Sequence, residues 1–174
     1  MKKKSLVIIA MFIASIICFS GTAALSNTCD EAKGVMLSFA IMGTVDDCGC
    51  TLTPGYWKTH SEYGPAPYDD TWAGREDNPF WSSGKSVYEV INTPRLGRAY
   101  YILAFQYIAA WLNRDTGAWV PDEVWEAFDC ADTFFATHTP FSILNREERS
   151  AIIECATTLA NYNEGIIGPG HCDD

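Results

Sequence analysis

Two cysteines one glycine apart head the stretch Cys48-Gly-Cys50-Thr-Leu-Thr-Pro-Gly-Tyr-Trp-Lys-Thr-His60, and they constrain the fold more than any other feature. A disulfide favours particular Cα separations and torsions, so a bridge inside this triplet would be a strained ring. Each cysteine must therefore reach elsewhere, which ties the start of the segment to two other points of the chain. The remaining cysteines are Cys18, Cys29, Cys130, Cys155 and Cys172.

The N-terminus predicts a compartment in which such bridges form. Lys2, Lys3 and Lys4 precede an apolar run from Leu6 to Phe19, followed by Gly21, Thr22, Ala23 and Ala24. This order of basic, apolar and small residues is that of a secretory signal peptide over residues 1–24, cut after Ala23 or Ala24. The run is shorter than the roughly 20 residues that span a bilayer as a helix. An uncleaved anchor is the alternative. A lipoprotein at Cys18 is rejected because Ile17 is bulky where that processing needs a small residue. Cleavage leaves Cys29, Cys48, Cys50, Cys130, Cys155 and Cys172. An even set in an oxidising compartment reads as three disulfides, whereas a structural zinc site would want CxxC-type spacing.

The mature chain would be long enough for one domain, 25–174, burying roughly 68–70% of its unfolded surface. Without its three lysines it keeps nine Lys and Arg against 22 Asp and Glu, a net charge of −13. Such an acidic chain without a basic stripe is a poor partner for nucleic acid or an anionic membrane surface. Nor does it predict a stable membrane span once the signal is gone.

Helical signals dominate the remainder. Thr28 to Glu31 has capping-box spacing, and the apolar run 35–42 reads as a short helix. Residues 51–85 show no sustained periodicity and are punctuated by proline and glycine, yet they hold seven Tyr, Trp and Phe residues. Disordered linkers lack such density, so this is an ordered, turn-rich aromatic region. Ser86 and Glu89 can cap a short helix ending near Asn92. The run 99–112 is apolar on every face except at Gln106 and predicts the central buried helix, terminated over 113–117. Pro121 suits the first position of the next helix, whose stripe is Val124, Ala127, Phe128, Ala131, Phe134 and Phe135. Asn145 and Glu148 offer another cap, ahead of a stripe of Ile152, Cys155, Ala156, Leu159 and Tyr162 and a stop at Gly165. The fold class is therefore all-α: about four helices around a central buried helix, with a large aromatic N-terminal loop region, stapled by disulfides.

Excluding Cys48–Cys50 still leaves twelve of the fifteen pairings that six cysteines allow. Cys130 and Cys155 fall on the stripes of consecutive helices, which antiparallel packing could bring face to face. The economical pairing of the rest is Cys29–Cys48 locally and Cys50–Cys172 end to end. Bridges from those helices to other cysteines stay open.

Several motifs resemble an uncharacterised domain family of secreted and cell-surface proteins in bacteria and archaea. Cys50-Thr-x-Thr-x-Gly-Tyr-Trp-Lys-x-His60 is similar to its CTx(T/S)QGYWKNH opening, with Pro54 in place of Gln and Thr59 in place of Asn. Ile108-Ala-Ala-Trp-Leu-Asn113 with Gly117-Ala118 is similar to LIAAKLN…GA. Leu159-Ala-Asn-Tyr-Asn-Glu-Gly165 and Gly168-Pro-Gly-His-Cys172 are similar to LDxYNNG and a terminal His-Cys. The resemblance spans about residues 50–172. It implies export and a surface setting, brings no catalytic residues, and favours Cys50 with Cys172 as the terminal pair.

Chemistry is sparse. There is no G-x-S-x-G elbow, no H-E-x-x-H, and no cysteine left over for thiol catalysis. The expected role is a structural or interaction domain without catalysis, meeting a cell-surface protein or glycan. The alternative is an extracellular carbohydrate-binding or carbohydrate-active protein, a hydrolase included, using the aromatic region 54–85. Its candidates are Tyr56, Trp57, Lys58, His60, Trp72 and Trp81, with Tyr63 and Tyr68 beside them, since aromatic rings supply rigid contact area. The competing expectation is that these rings pack inward and pin the loops. Asp69, Asp70, Glu76, Asp77 and Asn78 could offer oxygens to Ca²⁺. His60 and His171, with Glu62 or Asp173, could offer a Zn²⁺ or Cu²⁺ set, against a simpler role in bonding turn backbone. No cofactor is required by any of these readings.

Overall fold

The computed structural model describes residues 48–173. The expected signal peptide, Cys29 and the apolar run 35–42 lie outside the described residues. Within them the chain is helical, with five α-helices: α1 (Pro54–Thr59), α2 (Val87–Asn92), α3 (Ala99–Asp115), α4 (Asp122–Thr137) and α5 (Arg146–Asn163). Two 3₁₀ turns, Asp70–Trp72 and Trp81–Ser83, lie between α1 and α2. Among the described residues no strand forms; two isolated bridges join Thr51 to His171 and Pro79 to Ser86.

The caps act where the sequence places them. Ser86 with Glu89, and Asn145 with Glu148, form reciprocal capping boxes that start α2 and α5. Pro121 is the residue before α4 rather than its first, a shift of one position. α1 falls inside the stretch expected to be all turns. Thr53 caps it by accepting the Tyr56 N–H, and Pro54 opens it, the Thr-Pro arrangement that starts helices.

α3 is central but not buried on every face, which corrects the expectation from its composition. Leu103, Ala104, Ile108, Ala109 and Leu112 are fully enclosed, while Ile102, Phe105, Tyr107 and Trp111 are only partly covered. It packs chiefly on α5, which packs in turn on α4. The apolar stripe of α4 is buried as patterned. Phe135 holds an edge-to-face cluster, with ring centres 5.0 Å from Phe80, 5.1 Å from Tyr100 and 5.4 Å from Tyr107.

Two disulfides close the frame. Cys130–Cys155 links α4 to α5 with Cα atoms 6.5 Å apart. Cys50–Cys172 joins the two ends of the domain, Cα atoms 4.9 Å apart. Beside it Thr51 N donates to Gly170 O (2.8 Å) and Cys172 N to Thr51 O (3.0 Å), so bridge and backbone form one clasp. Cys48 is also disulfide-bonded. Gly165 stops α5 for a reason beyond its φ of +66°: a Cβ there would lie 2.2 Å from His171 N, inside the clasp.

A buried polar relay fastens the aromatic region to the helices. Asn113 and Asn163 are fully enclosed. Asn113 Oδ1 accepts from Leu52 N (2.8 Å) and from Trp57 Nε1 (3.1 Å). Its Nδ2 donates to Leu52 O (2.9 Å) and to Asn163 Oδ1 (3.0 Å). Asn163 Nδ2 then donates to both the backbone and side-chain oxygens of Gln106. Trp72 Nε1 donates to Trp57 O (3.2 Å) and completes the chain. This is why α3 carries one glutamine among apolar residues.

Asn113→Ala would strand Leu52 N–H, Leu52 C=O, Trp57 Nε1–H and Asn163 Oδ1 inside the core. Unpaired buried groups cost about 1–3 kcal/mol each, not additively, so a loss of roughly 3–5 kcal/mol is expected. It should show as a lower urea midpoint with an unchanged slope. Removing both cysteines of Cys50–Cys172 should cost roughly 5 kcal/mol, and both of Cys130–Cys155 roughly 3–4 kcal/mol, because the longer closed loop restrains the unfolded chain more. The same denaturation series measures both; equal losses would contradict the loop-length account.

Candidate functional site

The aromatic candidates divide into an inner and an outer set. Trp57 and Trp72 are fully buried, and their indole N–H groups are consumed in the relay. They offer no surface to a ligand, which corrects their place among the binding candidates. The cause is the pair of buried acceptors, Asn113 Oδ1 and Trp57 O, that fix both indoles inward. Tyr56 and Lys58 are half-buried; Tyr63, Tyr68 and Trp81 are exposed.

Tyr56, His60 and Asp69 form one small assembly. The His60 ring stacks on Tyr56 with centres 3.8 Å apart, and its Nδ1 bonds Tyr56 O at 2.9 Å. A carbonyl only accepts, so Nδ1 carries the proton. Thr59 Oγ1 donates back to the same carbonyl (2.9 Å). The identical device ends α4: His138 stacks on Phe134 and bonds its carbonyl, with Thr137 donating beside it. An aromatic residue followed by Thr-His at the third and fourth positions after it is thus a helix terminator used twice. His171 Nδ1 likewise bonds a carbonyl, that of Cys172 (2.6 Å).

Asp69, Glu76 and Asp77 are engaged with their own loops. Asp69 Oδ2 accepts from Tyr56 OH (3.0 Å) and Oδ1 from Thr71 N (2.9 Å), capping the first 3₁₀ turn. Burial works to raise its pKa, but the hydrogen bonds from Thr71 and Tyr56 and the nearby His60 outweigh it and hold the carboxyl below its ordinary value. Asp77 accepts from Tyr63 OH (2.7 Å), and that bond pushes the phenol up to about 12. Glu76 is buried and accepts from Glu62 N (3.1 Å), while Asp70 is exposed in the first turn of the 3₁₀ segment. Among the described residues, no three His, Cys, Asp or Glu side chains are grouped to hold a metal ion.

What the outer set does form is a cleft. Trp81 opens the second 3₁₀ turn at φ +44°, is 44% exposed, and leans on Phe135. It stands at a cavity of about 420 Å³ lined by Arg75, Asn78, Phe80, Trp81, Tyr107 and Trp111. The Arg75 guanidinium lies 4.2 Å above the Trp111 ring and is held by Asp115 Oδ2 (2.7 Å), Thr71 O (2.6 Å) and Trp72 O (3.0 Å). Tyr107 OH donates to Asp132 Oδ1 (2.6 Å); burial and that bond push its pKa up. Two indoles, a stacked cation and an amide around one concavity can grip a flat, hydroxylated ligand by stacking and hydrogen bonds. Arg75, Tyr107 and Trp111 are missed by sequence reasoning, which assigns Trp111 to the core. The clue available was that a helix of this length, apolar all round in a small domain, has to leave one face near the surface.

Set against known proteins, the chain matches no family model, no curated protein and no solved structure. Among the described residues no helix is long and apolar enough to cross a membrane.

Asp69 sets a pH dependence whose sign is fixed. Its folded pKa is lowered, so its stabilising contribution is complete above the unfolded value near 4 and disappears as pH falls through the lower folded value. Asp69→Ala should lose about 0.5–2 kcal/mol at neutral pH through the missing cap, and its stability should decline less than that of the wild type on acidification. Urea midpoints at neutral pH and at about pH 3 measure both effects; parallel pH profiles would remove Asp69 from the acid limb.

Proposed function

We propose that the chain is a secreted or cell-surface domain with a structural and interaction role and no catalytic one. The observation that carries this reading is the use made of the residues in which the family resemblance resides. Trp57, Asn113 and Asn163 meet in the buried relay, Tyr162 OH donates to Ala118 O, and Cys50 pairs with Cys172 in the clasp. These side chains make a frame, and none of them lines the cavities beside Trp111 or beside Arg98. Three disulfide-bonded stations and a strongly acidic chain suit an oxidising, exposed environment. Recognition then falls to loops that the frame holds still.

Export has a direct check. The protein recovered from a secreting host is expected to begin near Leu25 and to show no reactive thiol under native oxidising conditions. Sequencing that starts at Met1, or titration that finds two or more free thiols, counts against it.

A second reading, carbohydrate binding, is favoured by one feature: the cleft between Trp81 and Trp111, with Asn78 and Arg75 on its walls. A glycan array decides between them. The interaction role through protein partners predicts no signal that depends on Trp81. Glycans bound by the wild type and released by Trp81→Ala would make the carbohydrate reading the better one.

A further inference from the structure

One edge of the molecule opposes the charge of the whole. The loop before α3 and the loop before α5 meet there, joined by Arg149 Nη2 donating to Gly97 O (2.9 Å) and by the Arg98 guanidinium 5.6 Å from the centre of the Phe141 ring. Between them lies a cavity of about 370 Å³ lined by Arg98, Ala99, Tyr100, Thr139, Ser142 and Arg149. Arg95, Arg98, Arg146 and Arg149 are all exposed on this edge. Among the described residues the arginines in ion pairs are Arg75 and Arg114, both on Asp115. Of the acids close by, Glu148 accepts from Asn145 N in its capping box, Glu147 is exposed in the same turn, and Asp129 stands with Glu148 on the wall of an adjoining cavity.

Two independent features point to an oxyanion. α3, 17 residues long, starts at Ala99 without a side-chain cap, so the positive end of its dipole and its first amides lie at the cavity wall. Tyr100, only 3% exposed, lines the same cavity and buries a hydroxyl that has no hydrogen-bond partner.

The surroundings choose the bearer of that oxyanion. Ile143, Leu96 and Phe141 are 98%, 86% and 80% exposed, the highest values among the large hydrophobic residues of the described chain. Leu96 sits at φ +43°, a region that a bulky side chain occupies only under constraint. A second cavity of about 470 Å³ shares Phe134 and Leu144 with the first and is walled by Cys130, Thr133, Ala151 and Ile152. Leu96 and Ile143 are aliphatic and offer a sugar no flat face to stack on, and the Phe141 ring has the Arg98 guanidinium 5.6 Å from its centre. A concave hole with directed donors suits an inserted side chain better than the plane of a bilayer.

We propose that this edge binds an acidic peptide segment of a partner protein. Its carboxylate enters between Arg98 and Arg149, and an apolar neighbour fills the adjoining cavity. Bidentate guanidinium–carboxylate contacts supply the selectivity, and the apolar rim the contact area. The proposal deepens the interaction role and does not depend on export.

Panning short random peptides over the purified full chain tests it. The expected winners carry Asp or Glu beside Leu, Ile or Phe, and shift the amide resonances of Ala99 and Tyr100. Replacing the acid by its amide, or using Arg98→Met or Arg149→Met proteins with unchanged helical circular dichroism, should weaken binding by about tenfold or more. Winners without acidic residues, or acidic winners held equally by the variants, overturn the anion site and leave the interaction role standing. Retention instead of phosphatidylglycerol vesicles or an oligouronate through the same arginines overturns the protein partner. A library with no enriched peptide overturns the proposal and leaves the interaction role to the glycan array.

Discussion

The carboxamide of Asn113 is the joint on which the structure depends. An amide has two donors and two lone pairs on its oxygen, and here all four directions are filled by buried groups. Three of them belong to the segment before and within α1, and the fourth leads to α5. A neutral amide does this where a carboxylate could not, because it donates and accepts at once and needs no counter-charge in the core. Half-filled, the same site would be worse than an apolar core, since low dielectric magnifies each unpaired group. The relay therefore acts as a register device: only one placement of Leu52 and Trp57 on α3 satisfies it.

That placement explains how a region without helical or strand periodicity becomes ordered. Residues 60–86 contribute little regular backbone bonding, so their ordering entropy has to be offset by side chains. Trp57 and Trp72 supply buried area, and Phe80 extends it into the cluster around Phe135. The Cys50–Cys172 clasp then closes the chain around these contacts and reduces what the unfolded state can explore. Frame and loop are mutually dependent: the loop covers α3, and α3 supplies the polar partners that orient the loop.

Periodic and local features were legible in the sequence. The α4 stripe and the two capping boxes follow from spacing alone, because neighbours three and four apart on a helix share a face. Spacing also put Cys130 and Cys155 on the stripes of consecutive helices, but left other partners open to each until the structure joined them. Directions were not legible. Nothing in the spacing of Trp57, Trp72 and Trp81 says that two turn inward and one outward; that is decided by acceptors on Asn113 and on the Trp57 backbone. Asn113 itself reads as a helix terminator until Asn163 is brought beside it. α1 was hidden by the density of glycine and proline around it, although Thr53-Pro54 marked its start. The cleft was unreadable for a different reason: Arg75 and Trp111 come from separate elements and share no motif.

Where the backbone departs from ease is informative about where the molecule meets others. Among the described residues three that are not glycine hold positive φ: Ala73, Trp81 and Leu96. Ala73 ends a 3₁₀ turn, a conformation of little cost to a small side chain. Trp81 and Leu96 are large and exposed; Trp81 lines the cavity beside Trp111, and Leu96 directly precedes Gly97, which lines the cavity beside Arg98 and Arg149. Strain of this kind costs on the order of 1–3 kcal/mol at each residue; contact with Phe135 offsets part of it at Trp81, whereas Leu96, 86% exposed, has no such burial to offset it. At Leu96 core packing does not account for it, because a glycine or asparagine there would hold the same backbone more easily. The frame tolerates the strain because relay, cluster and clasp over-determine the loops. The apolar groups thus held out to solvent lie beside the Arg75–Trp111 wall on one side and the Arg98–Arg149 pair on the other, so the positions least suited to folding are those best suited to contact.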